Sequence, residues 1–479
     1  APRTIAELRD AIDAILDQTS TPGAGVALVG RAETLWAAGL GKADVASDLD
    51  ATADTLFRIG STSKMFVALA VLRLREQGRL SLDDRVRDLA PEIAFENRWA
   101  ETDPVRLVHL IEHTTGFDDI HLVEYANNDA TPLTLRAGLD LHPHSRTTRW
   151  RPGSRFSYCN SGPALAAYIV ERTIERDFEA YVRETFFDPL GMATATYREP
   201  GRDGPDAATL YQDDGVTPNP YWHIAMRPAG SINASAREMA GLVRLFLGRG
   251  SIDGVTLLSS DSIDRMERPA TTTAARQGLT TGYGLANYTS YEDGFVYHGH
   301  NGGVNGGLTE LAYVPELGLG YVFMINSGNG EAFGRISTAI RGYLTRDRVA
   351  PEPPPAHPIA APLGARFSGT YRPASPRQQV GQFLERVLGA QRLVVQDDGT
   401  ATTRGLFGGP TRTWVGVTDR LARRDDEPVP TLALLDTEDG ETWIEMRTAS
   451  YRRSPTWVVY LEVVAAAGTL VVMASAILF

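Results

Sequence analysis

Ser61 and Lys64 stand three residues apart in the stretch Ser61-Thr62-Ser63-Lys64. On a helix, positions i and i+3 share a face, so the amine can reach the hydroxyl. Lysine is scarce here. Among 47 Lys plus Arg it occurs only at Lys42 and Lys64. Arginine keeps its proton, whereas a desolvated lysine amine releases one near neutrality. A lysine kept beside a serine therefore points to a base that takes the hydroxyl proton and makes a nucleophile. Codon preference with a chance survivor is the competing explanation. Ser63, adjacent to Lys64, points elsewhere.

Other chemistries lack their residues. The chain has no G-x-S-x-G, no H-E-x-x-H and no G-x-x-x-x-G-K. Its nine histidines are scattered, and His142-Pro-His144 sits among arginines without metal-ligand spacing. Cys159 is the single cysteine, which excludes an internal disulfide and any multi-cysteine metal site. A packed, inert thiol is the expectation for it. No metal and no organic cofactor are expected. A net charge of -12 argues against nucleic acid and offers no basic surface for a membrane.

Several elements must position the pair. Thr4 to Gln18 has helical spacing, with Ile5, Leu8, Ile12 and Leu16 on one face. Gly25 to Gly30 and Glu33 to Gly39 read as strands joined by a turn. Phe57 to Gly60 leads into Ser61, and Ser63 to Glu76 reads as a helix closed by Gly78. Ser61 thus falls at a strand-to-helix junction, where first-turn N–H groups favour a developing anion. Helices and turns fill about Ala90 to Leu247, with Phe178 to Phe187 and Ala236 to Leu247 helical. Strand signals return at Gly282 to Tyr288, Phe295 to His298, Leu308 to Val314 and Gly320 to Asn326. Strands at both ends with helices between imply one sheet built from distant parts of the chain.

With its surroundings, Phe57-Arg-Ile-Gly-Ser-Thr-Ser-Lys-Met-Phe66 resembles the nucleophile segment of the class C β-lactamases, DD-peptidases and related esterases, the S12-type serine hydrolases. Further segments resemble the family in order. His113-Thr-Thr-Gly-Phe117 is similar to its HTSGL stretch. Tyr158-Cys159-Asn160 stands in the Y-x-N place. Pro189-Leu-Gly-Met192 and Pro228-Ala-Gly-Ser231 match landmarks, and His300-Asn-Gly-Gly-Val-Asn-Gly-Gly307 resembles the third segment, K-T-G or H-x-G. The likeness covers roughly Thr4 to Leu344. It implies Ser61 as nucleophile, Lys64 and Tyr158 as proton carriers, and His300 in the third catalytic place. Ser61 and Gly303 N–H groups would form the oxyanion hole. Asn160, Asn301 and Gly302 would contact substrate. A neighbouring cation favours phenolate, so Tyr158 reads as a proton shuttle. His300 replaces a permanent cation with a mostly neutral ring, and by resemblance H-x-G is common in the esterase and peptidase branches.

The later chain differs in kind. Ala350 to Pro358 is a stiff proline-rich linker. Short strand-like runs follow at Phe367 to Tyr371, Leu393 to Val395, Trp414 to Val417, Thr431 to Leu435 and Thr442 to Arg447. Thr456 to Phe479 carries only Glu462 as a charge and exceeds the roughly 20 residues of a membrane helix.

The expected fold is α/β (α+β): an antiparallel sheet flanked by helices with a helical subdomain, then a small β-rich domain and an apolar C-terminal helix. The expected divisions are a catalytic domain over 1–347, a linker over 348–364, the β-rich domain over 365–455 and a candidate transmembrane helix over 456–479. The expected activity is hydrolysis of amide bonds in small peptides through an acyl-enzyme. A carboxylesterase or weak β-lactamase is the alternative activity, and a non-catalytic membrane-linked peptide or β-lactam sensor the alternative class. The expected partner is a small peptide or ester substrate, with no nucleic acid. The expected place is the bacterial cell envelope, periplasmic or extracytoplasmic, anchored through 456–479. The sequence carries no signal for an oligomeric state.

Overall fold

All eight positions of Gly23–Gly30 (β1) are buried, as in a central strand covered on both faces. In the computed structural model, which describes residues 1–125, 127–201, 206–437, 440–465 and 468, β1 lies inside an eight-stranded antiparallel sheet. Its partners are Thr34–Asp44 (β2), Leu49–Asp50 (β3), Gly282–Tyr283 (β4), Tyr288–Glu292 (β5), Phe295–Val304 (β6), Gly307–Val314 (β7) and Leu319–Ile325 (β8). The spatial order is β3-β2-β1-β8-β7-β6-β5-β4. β1 and β8 pair across the length of the domain, Val26 facing Phe323. The sheet is thus built from both ends of the catalytic region, as the strand signals imply.

Strand alternation gives the sheet two apolar faces. Val26, Leu28, Phe323 and Ile325 pack against helix Ile5–Gln18 (α1) and helix Gly330–Thr345 (α5). Ala27, Val29, Val322 and Met324 face the larger core with helices Lys64–Glu76 (α2), Ser161–Ile174 (α3) and Ala236–Leu247 (α4). α1 begins one residue later than the spacing suggests, because Thr4 is its cap and accepts from the Glu7 N–H at 3.1 Å. α2 is buried continuously from Lys64 to Leu72, the behaviour of a helix apolar on every side. Gly78, at φ +69°, turns the chain away from its end.

The third motif is not in a loop. β6 runs on from His298 through His300 to Val304, six residues past the strand expected there. This extension brings Gly302 under the tight turn Gly60–Ser63 that precedes α2. A Cβ at Gly302 would lie 1.9 Å from the Ile59 carbonyl oxygen and 3.1 Å from Ser61 N.

Residues 348–360 have no regular structure and lead into helix Ala361–Phe367. The β-rich domain is a closed eight-stranded barrel: Gly369–Pro373 (β9), Gln391–Val395 (β10), Ala401–Gly405 (β11), Arg412–Gly416 (β12), Leu421–Arg424 (β13), Leu432–Asp436 (β14), Thr442–Met446 (β15) and Ala449–Arg453 (β16). β16 closes on β9 through Tyr371 and Arg453. β11, β13 and β16 gave no strand signal: each is short and arginine-bearing. Phe367, Tyr371, Leu393, Trp414, Leu432 and Ile444 fill its interior. Leu421, Ala433, Leu435 and Trp443 leave the barrel to pack with Ala274 and Leu279 of the catalytic domain.

A helix begins at 456 and is described to 465, and Arg372 of the barrel meets Glu462 at 2.6 Å. Among the described residues no helix is long and apolar enough to cross a membrane. Residues 466–467 and 469–479, on which the expected transmembrane segment depends, lie outside the described residues.

The contact between Gly302 and the Ser61 turn is testable. Gly302→Ala should destabilise the chain by about 1–3 kcal/mol through overpacking. Gly303→Ala, whose Cβ would meet only Leu308 at 3.5 Å, should be tolerated. Urea midpoints would check both, and equal midpoints would show that strand and turn are not pressed together.

Candidate active site

Lys64 sits at the first turn of α2 with no exposed surface. Its Nζ lies 2.9 Å from Ser61 Oγ, 2.8 Å from Asn160 Oδ1 and 2.5 Å from the Ala229 carbonyl oxygen. Desolvation lowers its pKa to about 7, against the pull of the Asp119 carboxylate and with help from the Arg377 cation. Near neutrality the amine is therefore frequently uncharged. A neutral amine has two hydrogens and one lone pair. Asn160 Oδ1 and the Ala229 carbonyl accept only, so they take the hydrogens and leave the lone pair facing the Ser61 hydroxyl.

Tyr158 is beside them, with the Lys64 amine 4.9 Å from its ring centroid. The amine lies over the ring rather than at the phenol oxygen. Burial dominates, Tyr288 adds to it, and the Tyr158 pKa rises well above its ordinary value. The phenolate expected for Tyr158 is thus corrected to a neutral phenol. Its hydroxyl is still close enough to Ser61 to feel that group. His113, at φ +55°, stacks on Tyr158 at 4.1 Å between centroids and holds the backbone N–H of Cys159 through Nδ1 at 3.3 Å. Burial and the nearby Lys64 keep His113 neutral. Cys159 is fully buried, its thiol pushed up to about 11 by desolvation, so it is an inert packed residue.

His300 is 3% exposed and its pKa is lowered to about 3 by desolvation and by Lys64. Its Nδ1 meets the Asn301 carbonyl oxygen, which can only accept, so Nδ1 carries the hydrogen. Nε2 then accepts from the Tyr283 hydroxyl at 2.9 Å. Both nitrogens are engaged, and neither is left for Ser61 or Lys64. Asn301 goes the other way. Strand alternation turns it to the opposite face of the sheet, opposite Glu310 in the ladder, where it lines a separate pocket with Glu310 and Arg341. The substrate contact expected of Asn301 therefore has no geometric support, whereas Gly302 and Gly303 stay against the Ser61 turn.

Asn160 is a bridge. Its Oδ1 receives Lys64, while its backbone N–H and Nδ2 donate to Asp119 Oδ1 at 2.8 and 3.0 Å. The Asp119 carboxylate is 1% exposed and is met by Arg377 Nε at 2.6 Å. Arg377 comes from the barrel, on the segment after β9, and its guanidinium stacks over Tyr158 at 4.8 Å. The segment is fastened to the catalytic domain. Pro376 O accepts from Ser157 Oγ at 3.2 Å, Arg377 O from Asp119 N at 3.3 Å, and Gln379 N donates to Asp118 Oδ1 at 2.8 Å.

Asp119 and Arg377 escaped sequence reasoning. Asp118-Asp119 directly after the HTTGF stretch was the one available signal, two adjacent acids beside a motif. Nothing local marks Arg377. A cavity of about 450 Å³ opens over Ser61, lined by Asn160, Gly303, Arg377 and Gln378, and on its far side by Tyr125 and Trp222. Among the described residues, no cluster of three or more His, Cys, Asp or Glu side chains could hold a metal ion. The arrangement can deprotonate a serine facing a pocket the size of a small peptide.

Comparison with known proteins gives this geometry its relatives. Penicillin-binding protein 4 of Amycolatopsis lactamdurans is 27% identical over 382 residues, which spans 76% of this chain and 97% of that protein. Protein flp of Staphylococcus aureus (strain MW2) is 25% identical over 240 residues, or 48% of this chain and 47% of flp. The octameric penicillin-binding protein homologue of Pyrococcus abyssi shares the fold at a TM-score of 0.59 and 19% identity, over 94% of this chain and 100% of its own. The D-alanine carboxypeptidase AmpC of Burkholderia cenocepacia does so at 0.56 and 21%, over 71% and 99%. The Beta-lactamase family model matches residues 8–344, the stretch that holds Ser61, Lys64, Tyr158, Asn160 and His300, and the chain belongs to this family of serine hydrolases.

Proposed function

We propose that the chain is a peptidase or amidase that cleaves amide bonds of small peptides through an acyl-enzyme on Ser61. The observation that carries this reading is the buried Lys64 amine, 2.9 Å from Ser61 Oγ, with its other two directions occupied. Lys64 takes the hydroxyl proton as Oγ attacks the carbonyl carbon. The Ser61 N–H and the Gly303 N–H receive the oxyanion, the close approach at Gly302 holding the two amides together. The carbonyl then reforms, the C–N bond breaks, and the proton passes to the leaving amine, with the neutral Tyr158 hydroxyl as relay. Water repeats the sequence to release the acid and restore Ser61.

The neutral His300 supports a peptidase rather than a β-lactamase, since the third motif supplies no cation. A D-residue substrate is supported by fold relatives: one is described as a D-alanine carboxypeptidase, and SurE, at a TM-score of 0.57 and 20% identity, was solved with D-Leu. An esterase is the second reading, favoured by the apolar far wall at Trp222 and Met226. We also place the protein in the cell envelope, anchored through 456–479; the Arg372 partner of Glu462 lets that charge stay with the barrel rather than enter hydrocarbon.

Four outcomes are expected. Intact-mass spectrometry with D-amino-acid peptides, p-nitrophenyl esters and a chromogenic cephalosporin should show a peptide-derived acyl group on Ser61 that turns over. Rapid cephalosporin turnover without peptide cleavage would sink the peptidase reading, and an adduct that never turns over would favour a sensor.

Protonation of Lys64 removes its lone pair, so the acylation rate should fall as pH drops through about 7 and level off above it. Lys64→Arg, which keeps the charge but cannot act as base, should lower acylation by about 10²–10⁴-fold. A normal burst from folded Lys64→Arg protein would exclude the amine as base.

Finally, the full chain should stay with membranes through an alkaline carbonate wash, and a chain ending at Arg453 should not. Release of both would exclude the anchor.

A further inference from the structure

We propose that Arg377 is a positioning residue for the Ser61–Lys64 pair: lent by the barrel, it holds Asp119 against Asn160 and, through Asn160, fixes where the Lys64 amine points. The inference rests on the hydrolase reading above and adds to it a dependence on the second domain.

The contacts form one unbroken chain. Arg377 Nε donates to Asp119 Oδ2 at 2.6 Å. Asp119 Oδ1 receives the Asn160 backbone and side-chain amides at 2.8 and 3.0 Å. That fixes the Asn160 amide with its oxygen toward Lys64 Nζ, at 2.8 Å, and Nζ is 2.9 Å from Ser61 Oγ. A flipped Asn160 would present hydrogens to the amine and turn its lone pair away from the serine. Only an acceptor on the far side of Asn160 prevents the flip. Asp119 is that acceptor, and an unpaired carboxylate with 1% exposure would be costly to hold charged. Arg377 meets this need and is itself pinned by the backbone contacts of 376–379.

The electrostatics agree. The groups facing Lys64 are His113, Asp119, Tyr158, Cys159, His300 and Arg377. His113 and His300 are held neutral by burial, and the Cys159 thiol and Tyr158 phenol are both pushed up. Tyr288, beside Arg377, is a phenol raised to about 12. Arg149, whose Nη2 reaches Arg377 O, is matched by Asp118 at 3.4 Å, and Asp118 also meets His121 at 3.1 Å. Asp119 and Arg377 are thus the charged groups that act on the amine near neutrality, with opposite sign. Asp119 favours the protonated amine and Arg377 disfavours it.

The test uses the scarcity of lysine. With ¹³Cε-labelled lysine the whole chain gives two side-chain signals, and Lys42→Arg identifies the one from Lys64 by removing the other. The Lys64 signal is titrated in the wild-type chain and in Arg377→Met, Arg377→Lys and Asp119→Asn. Removing Arg377 takes away the cation that disfavours the protonated amine, so the Lys64 midpoint should rise measurably. Asp119→Asn leaves the cation unopposed and should move it down. Arg377→Lys, which keeps the charge, should stay near the wild type. The acid limb of Ser61 acylation should follow each midpoint.

An unmoved midpoint in Arg377→Met, or the same direction in Arg377→Met and Asp119→Asn, would overturn the proposal. If Arg377→Met fails to fold, Arg377→Gln, which removes the charge but keeps a hydrogen-bond donor, takes its place, and an unmoved midpoint there would overturn the proposal as well. Because the titration reads the amine whether or not Ser61 reacts, a failed hydrolase reading would show separately, as titration without an acyl adduct.

Discussion

The structure depends on keeping an amine out of water. A lysine with no exposed surface costs the chain part of its stability whenever it is charged, and that cost is what loosens its hold on the proton. Burying it requires that every neighbour be either apolar or correctly polarised. Asn160 Oδ1 and the Ala229 carbonyl satisfy the hydrogens; the serine takes what remains. The aromatic wall of Tyr158, His113 and Tyr283 excludes solvent without adding charge.

The fold serves this constraint at several levels. α2 is buried on every side from Lys64 to Leu72, so that it carries Lys64 into the core rather than along its surface. The sheet closes over the turn at Gly60–Ser63 through β6, and two glycines let backbone approach backbone there. The histidine of the third motif belongs to the same arrangement. A cation at His300 would compete with Lys64 for the same desolvated space, whereas a neutral ring locked between Tyr283 and the Asn301 carbonyl adds structure and no charge.

What the sequence disclosed follows from range. Ser61 and Lys64 are one helical turn apart, so their spacing alone places them together. α1, α2 and α4 are legible because periodicity and caps are local. Tyr158 and Asn160 were placed by motif order, but their states were not: whether a phenol ionises depends on which part of the ring a cation meets, which no spacing encodes. Asn301 misled for a related reason. A motif taken as a row of consecutive residues lets each one face the substrate, whereas on a strand alternate residues face opposite ways. Arg377 and Asp119 were invisible as a pair because their partnership exists only in three dimensions. In the barrel, β12 and β14 show through Trp414 and the run Leu432–Leu435, but β13, with two arginines in four residues, carries no apolar alternation to read.

The joining of the two domains at Asp119 also orders events in time. Asp119 and Arg377 lie 258 residues apart in the chain. A ribosome that has completed the nucleophile helix, and even all eight strands of the catalytic sheet, has not yet made the arginine that matches the carboxylate. During synthesis the serine thus waits in an unfinished pocket, and the pocket is completed only after the first barrel strand has been made. The chain beyond residue 373 thereby separates the making of Ser61 from the completion of the charges around it.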